Sequence, residues 1–387
     1  MVTTTSHSLT SALQSAIILA IQQAGGWIGF DRFMALALYT PGLGYYANTS
    51  LKFGSMPTVL EDGQRVAGSD FVTAPEMSRL FGRALAVQVA QALEATGTRE
   101  VWEFGAGSGA LASQLIEALG DRIDRYTIVD VSGVLRARQQ QALAAHAGKV
   151  AWADALPAQM RGVVVGNEVL DAMPVQLLAR VDGEWFERGV AVAEPQPESP
   201  AGDGALREPG LRWEDRPTAL RPPLDIEGPH DYLTEVHAQG VAFIHTLAER
   251  LVQGAAFFLD YGFPEHEYFH PQRSGGTVMC HKAHRADPDP LAEVGLKDIT
   301  AHVDFTAMAL AGQNAGLEVL GYTSQARFLM NCGLLQMMED GTVMDRAQAV
   351  RLIHEHEMGE LFKVVGFARG LPFDAIGFTE GDRSHTL

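Results

Sequence analysis

A glycine run and a few acids spaced along the chain hold the residues most able to do chemistry. Glu103-Phe104-Gly105-Ala106-Gly107-Ser108-Gly109 follows a short apolar run and precedes the helix-like stretch 110–119. Glycines at such a turn let the backbone approach a ligand, and the helix start behind them offers free N–H groups. Glu103, two residues before the first glycine, would repel a pyrophosphate and attract an ammonium or sulfonium. Asp130 ends a second β-rich run, where a carboxylate can accept both hydroxyls of a ribose. Asp154 ends a third, where an acid can meet an adenine amino group. Asn167, Glu168 and Asp171 lie in Gly166-Asn-Glu-Val-Leu-Asp-Ala-Met-Pro174, directly after a fourth. Carboxylates there can hold a guanidinium or ammonium through charge-assisted hydrogen bonds and take the proton that a methylated nitrogen loses. A structural reading competes: Asp171 capping a short helix and Asn167 bracing the turn.

The glycine turn alone does not name its ligand. Gly105-x-Gly107-x-x-Ala110 also satisfies the dinucleotide fingerprint, and Asp130 suits the acid expected about 20 residues further on. Glu103, the third glycine at 109, Asp130 and Asp154 together favour S-adenosylmethionine. That cofactor has no phosphate and presents a sulfonium and an amino group. A nicotinamide-dependent oxidoreductase is the alternative enzyme, and an assembly factor that keeps the fold without the chemistry is the alternative outside enzymes.

These residues need a scaffold that aligns strand ends. From about residue 98, apolar runs of four to six residues alternate with helical stretches: 101–104, 126–131, 150–152, 163–166, 255–260, 317–322 and 363–368. Such runs predict strands buried on both faces, hence an α/β fold with a mostly parallel, Rossmann-like sheet between helices. Open sheets of this kind bind ligands at strand ends where the strand order reverses. Residues 175–181 and 184–192, joined by Asp182-Gly183, predict an inserted hairpin. Residues 194–230, rich in Pro, Gly and charge, predict a mobile insertion or a linker, and 231–251 a single helix. Residues 1–95 predict an N-terminal helical and loop region covering the active site, with Asp31 capping its second helix; residues 96–387 form the main domain, interrupted at about 175–230.

The totals limit the partners. The chain has 387 residues, 47% hydrophobic and 20% charged, with Lys plus Arg 29 against Asp plus Glu 47 and a net charge of −18. That balance disfavours nucleic acid and suits a cationic partner. Cys280 and Cys332 form no CxxC pair, no window reaches the ~20 apolar residues of a membrane span, and the N-terminal stretch has no basic leader pattern. The expectation is a cytoplasmic protein of unknown oligomeric state. His281-x-x-His284 and His354-Glu-His356 match no metal spacing and read as surface histidines. Asp260 ends a fifth run, Asp304 reads as a helix N-cap, and His302 is either a proton relay or a packed histidine.

Longer motifs carry a family resemblance. They are Leu38-Tyr-Thr-Pro-Gly-Leu-Gly-Tyr-Tyr46, Gly68-Ser-Asp-Phe-Val-Thr-Ala-Pro-Glu-Met-Ser-Arg-Leu-Phe-Gly82, the glycine turn, and Gly166–Val175. Asp260-Tyr-Gly262, Asp298-Ile-Thr-Ala-His-Val-Asp-Phe305 and Met358-Gly-Glu-Leu-Phe-Lys363 follow in order. In these the chain resembles the MidA-like methyltransferases, the class that includes the mitochondrial complex I assembly-factor arginine methyltransferase. The resemblance implies a class I S-adenosylmethionine-dependent methyltransferase fold with a seven-stranded sheet. It implies methyl transfer to an arginine of a partner protein, with a respiratory complex I subunit or its homologue as a candidate. It also implies Glu103, Gly105, Gly107 and Asp130 as cofactor residues and Asn167 and Glu168 as the acceptor loop.

Overall fold

The computed structural model describes residues 2–48, 58–59, 65–66, 73–130, 133–194, 210–282, 285–370 and 372–387. Its centre is a sheet of seven long strands: β1 (Glu100–Phe104), β2 (Arg125–Val129), β3 (Val150–Ala153), β4 (Met160–Asn167), β5 (Leu251–Phe263), β6 (Glu318–Ser324) and β7 (Phe362–Arg369). Their spatial order is β6-β7-β5-β4-β1-β2-β3, and the two-residue strand Val303–Asp304 pairs alongside the end of β5. Strands β1 to β5 pair in parallel, and β7 runs antiparallel to both β5 and β6. All seven apolar runs read from the sequence are these strands.

Alternation along the strands feeds two helical layers. Val101, Val163, Val165, Phe257 and Leu259 face one core, beneath helices Arg79–Thr96 and Ala110–Leu119. Trp102, Phe104, Val164, Ala256 and Phe258 face the other, beneath Ala238–Arg250 and Phe305–Asn314. The chain leaves β1 toward β2 and β3, then crosses back to β4 on the other side of β1. The strand order therefore reverses between β1 and β4, and a crevice opens at their carboxyl ends.

A third core sits over that crevice. Leu13, Ile17, Phe30, Phe33, Leu38 and Tyr45 of the N-terminal segment pack with Leu177 and Val190 of the hairpin and with Cys280 and Ile299. The hairpin Gln176–Val181/Glu184–Val192 turns through Asp182 (φ 50°) and Gly183 (φ 84°), as its Asp-Gly sequence predicts. It is the middle of a five-stranded antiparallel sheet with Trp27–Gly29, Leu211–Pro217 and Tyr232–Val236.

Several expectations are corrected here. Residues 231–251 are not one helix: Tyr232–Val236 is a strand paired with Gln176–Val181, and the helix is Ala238–Arg250. Edge pairing overrides a pattern whose apolar residues fit both periods. The supposed mobile insertion contains the strand Leu211–Pro217, in register with Phe186–Val192; 195–209 lie outside the described residues, as do 68–72 of the second motif and His284. Helix Arg79–Thr96, grouped by sequence with the N-terminal region, packs against the central sheet. Gly29, not Asp31, occupies the N-cap of Phe30–Tyr39. Asp304 is the N-cap read from the sequence, accepting from the Ala307 N–H at 3.0 Å.

Phe33 is fully buried in the third core. Phe33→Ala should therefore lower stability by about 3–5 kcal/mol, read as a shift of the urea unfolding midpoint.

Candidate active site

The crevice opens into one large cavity of about 1560 Å³. A small-molecule pocket runs to roughly 300–1,000 Å³, so the volume leaves room for two reactants. Glu103, Gly105, Gly107, Asp130, Asn167, Glu168 and Asp171 all line it. The fold thus gathers acids spread over nearly seventy residues of sequence, because each sits at or just past the carboxyl end of β1, β2 or β4.

The glycine turn is built for close approach. Gly105, Gly107 and Gly109 have φ of 63°, 52° and 87°, the region that costs side-chain-bearing residues most. A Cβ on Gly105 would lie 2.7 Å from Cγ2 of Val169. Gly109 does not line the cavity; it is the left-handed N-cap of Ala110–Leu119.

Glu103 is buried, and its Oε2 accepts the Tyr126 hydroxyl at 2.8 Å. Burial pushes its pKa up to about 8, with Asp130 adding to the rise and Tyr126 opposing it. Asp130 is buried too, and its Oδ2 accepts Gln139 Nε2 at 2.8 Å. Asp154 is elsewhere. Its side chain is 83% exposed and paired with Arg136, so the acid proposed for an adenine amino group points into solvent and does not line the cavity. A period-two count along β3 cannot tell which face the residue after the strand will take.

The turn after β4 holds the second acid group. Glu168 has φ 53°, an uncommon conformation for a non-glycine residue. Its N–H donates to Leu259 O at 2.9 Å, and Asn167 Nδ2 donates to its Oε1 at 2.9 Å. Burial raises the Glu168 pKa to about 8, followed by Asp171, with Glu76 adding; the Asn167 amide and the Ala74 N–H pull the other way. Asp171 rises to about 6 through burial, against the Tyr261 hydroxyl and the Ala172 N–H. Asp260 holds the turn itself. Its Oδ2 accepts the N–H groups of Val169, Leu170 and Asp171 at 3.0, 2.8 and 3.3 Å, and its Oδ1 that of Tyr261 at 2.9 Å. Asp171 therefore faces the cavity and does not cap a helix.

Two residues of the site had escaped the sequence reading, one lining the cavity and one buried behind it. Glu76, in Ala74–Met77, lines the cavity with both carboxylate oxygens buried and no hydrogen-bond partner of good geometry. Burial raises its pKa, with the nearby Ser108 hydroxyl acting against the shift. Gln114 Nε2 donates to Pro75 O at 2.7 Å and its Oε1 accepts the Gly82 N–H at 2.9 Å, tying this segment to the helix behind the glycine turn. Gln139, fully buried, donates through Nε2 to Asp130 and to Gly107 O at 3.1 Å, while its Oε1 accepts Trp152 Nε1 at 3.0 Å. Glu76 was legible only as part of a longer motif, and a lone Gln in a polar helix sends no signal.

The wall of this cavity is rich in acceptors. Among the described residues, Asn167 Oδ1, Asp171 Oδ1 and both oxygens of Glu76 are buried without a donor. A ligand with positive charge and N–H groups satisfies such a wall, and a pyrophosphate does not. The residues therefore fit S-adenosylmethionine. His302 and His281 both line the cavity, so His281 is not the surface histidine read from the sequence, while His354 and His356 are exposed as expected.

A strand-order reversal carrying a glycine turn and acidic strand ends defines a class I methyltransferase. Comparison with known proteins agrees: the chain belongs to a family described as S-adenosyl-L-methionine-dependent methyltransferases, which matches residues 84–323. It is similar to a Burkholderia thailandensis protein solved bound to S-adenosyl-homocysteine. The two are 47% identical, with a TM-score of 0.88 and coverage of 99% of this chain and 98% of that one. It is also similar to the mitochondrial protein arginine methyltransferase NDUFAF7 of Danio rerio, at 28% identity over 92% of this chain and 86% of the relative. The human protein of that name is 26% identical over 80% of this chain and 70% of the relative. The dinucleotide alternative is thereby set aside, and the resemblance to the MidA-like methyltransferases stands. The cytoplasmic expectation is corrected: the arginine methyltransferase relatives are mitochondrial by name. No helix among the described residues is long and apolar enough to cross a membrane.

Two outcomes follow from this geometry. Gln139→Leu removes a charge-assisted bond worth about 1.5–3 kcal/mol, so calorimetric titration should show S-adenosylhomocysteine binding weakened by roughly tenfold to a hundredfold. The folded protein holds the Glu103 proton up to about pH 8, whereas the free carboxyl has a value of 4.5. Its contribution to stability is complete below pH 4.5 and is lost as the pH rises through 8. Thermal melts of Glu103→Gln across that window should fall less steeply with pH than those of the wild type.

Proposed function

We propose that the chain methylates an arginine of a partner protein, and that residues 9–48, the five-stranded sheet and the strands Met279–Lys282 and Asp298–Thr300 form the cover under which that arginine enters. A respiratory complex I subunit or its homologue is the candidate partner, on the strength of the family resemblance. The observation that carries the reading is the set of buried acceptors without a partner in one cavity wall, on Asn167 and Asp171 at the end of β4 and on Glu76 of Ala74–Met77. A guanidinium offers five N–H donors and a positive charge in one planar group. The names of the arginine methyltransferase relatives support the same acceptor.

In this reading Glu103 receives the amino group of the cofactor, Asp130 the ribose, and Gly105 and Gly107 let the backbone close on it. Gln139 keeps Asp130 aimed while bonding the glycine turn. Bound S-adenosylmethionine would supply a methyl group already activated on a sulfonium, the S–C electron pair staying on sulfur as the N–C bond forms. Glu168 and Asp171 align the guanidinium, with Asn167 holding Glu168 in place, and Glu168 accepts at its carboxylate the proton that the nitrogen gives up. Such catalysis is mainly positioning and electrostatics. The left-handed turn at Glu168 is a constrained conformation of the kind found at functional sites.

Incubation of the protein with labelled S-adenosylmethionine and lysate of its own organism, followed by mass-spectrometric mapping, tests the acceptor: label on arginine is expected, and label only on small molecules overturns it. Glu168→Gln should keep S-adenosylhomocysteine affinity and lose roughly 10²–10⁴-fold in turnover. Wild-type turnover should rise with pH through about 8 as Glu168 ionises, and this limb should be missing from the variant. Unchanged turnover in Glu168→Gln removes the assigned role.

A further inference from the structure

The acceptor end of the cavity has a second wall of opposite character. In a chain of net charge −18, Arg273 and His302 both line this cavity. The Arg273 guanidinium carbon stands 3.8 Å over the centroid of the Phe263 ring. Among the described residues no carboxylate pairs with Arg273, whereas Lys363 beside the same ring is held by Glu360. The His302 ring packs at 5.3 Å from Phe263 and edge-on at 5.2 Å from Tyr261. Its backbone is anchored on both sides: the N–H donates to Thr277 Oγ1 at 3.0 Å, and the carbonyl accepts His237 Nε2 at 2.7 Å. Its own Nδ1 is buried with no partner. This wall therefore offers an unpaired guanidinium to whatever occupies the cavity, with the His302 ring beside it, kept neutral by burial and by Arg273.

We propose that Arg273 and His302 form an anion subsite that receives a carboxylate carried beside the residue being methylated. The inference rests on the arginine-acceptor reading and adds a sequence preference to it. Tyr261 fixes the geometry, since its hydroxyl bonds Asp171 while its ring meets His302. The anion subsite is thus one aromatic side chain away from the acids assigned to the guanidinium. An extended chain advances roughly 3.3–3.6 Å per residue, so a Glu or Asp about two to four residues from the target arginine spans the gap. A guanidinium stacked on an aromatic ring is pre-organised to take a carboxylate through two parallel hydrogen bonds. Gly275 and Gly276 line the cavity with Arg273. The acceptor would be gripped at two points of opposite charge, which sets its direction through the cavity.

The test uses short synthetic peptides with one arginine and a glutamate about two to four residues away, against the same peptides with glutamine. Binding to the full-length protein saturated with S-adenosylhomocysteine is measured by calorimetry, and transfer by labelled S-adenosylmethionine. Wild type should favour the best glutamate peptide by about tenfold or more, the size of one charge-assisted pair. Arg273→Gln should erase that preference, leaving glutamine-peptide binding and S-adenosylhomocysteine affinity unchanged. Arg273→Lys should restore part of it. Equal binding of the two peptides by wild type overturns the subsite, as does an equal loss for both in Arg273→Gln or a failure of every glutamate peptide to bind. The arginine reading fails on a different result, namely label mapped in lysate to residues other than arginine.

Discussion

One buried carboxylate holds the acceptor side of this protein together. Asp260, on β5, collects the N–H groups of residues 169, 170 and 171 on a single oxygen and that of Tyr261 on the other. Four donors on one carboxylate turn an otherwise costly buried acid into the anchor of a tight turn. The chain leaving β4 cannot continue straight. It must fold back across the end of β5, and that bend forces Glu168 to φ 53° and aims Asp171 into the cavity. Losing Asp260 would free four N–H groups together and let the turn relax into an ordinary conformation.

The same cavity holds acids that the protein leaves poorly satisfied. Glu103 and Glu168 are pushed up to about 8 and Asp171 to about 6, burial being the first cause in each. Such a set is stable without ligand only because protons or neighbouring hydroxyls relieve it. Arrival of positive charge makes ionisation favourable, so binding energy is coupled to proton release. The roles proposed for these acids follow from that electrostatic state rather than from their positions in sequence. Across the same space, Arg273 and His302 present the opposite need.

Much of the scaffold was legible from residue order. Strands buried on both faces need unbroken apolar runs, and all seven runs are strands of the central sheet. A glycine turn must use residues that tolerate positive φ, so Gly105, Gly107 and Gly109 were readable. The errors fell where side chains serve two periods or none. Leu233 and Val236 fit a helical stripe, yet pair as a strand against Ala179 and Gln176 because the hairpin edge was open. Residues 211–217 looked like part of a linker because their polar composition suits an exposed edge strand equally well.

The sequence by itself determined the sheet, the glycine turn and the presence of acids at strand ends, because periodicity and backbone tolerance are local properties. Only the tertiary structure decided which of those acids share a cavity. Asp130 and Asp154 follow similar strands, but one is buried against Gln139 and the other is turned to solvent and paired with Arg136. Glu76 and Gln139 carry no spacing signal, yet one lines the cavity unpartnered and the other ties Asp130 and the glycine turn of its wall to Trp152 behind. Burial and the direction of a side chain at the end of a strand depend on what packs there from distant sequence. That is set by the crossing from β3 to β4 and by the N-terminal segment packed on the hairpin, not by the residues themselves.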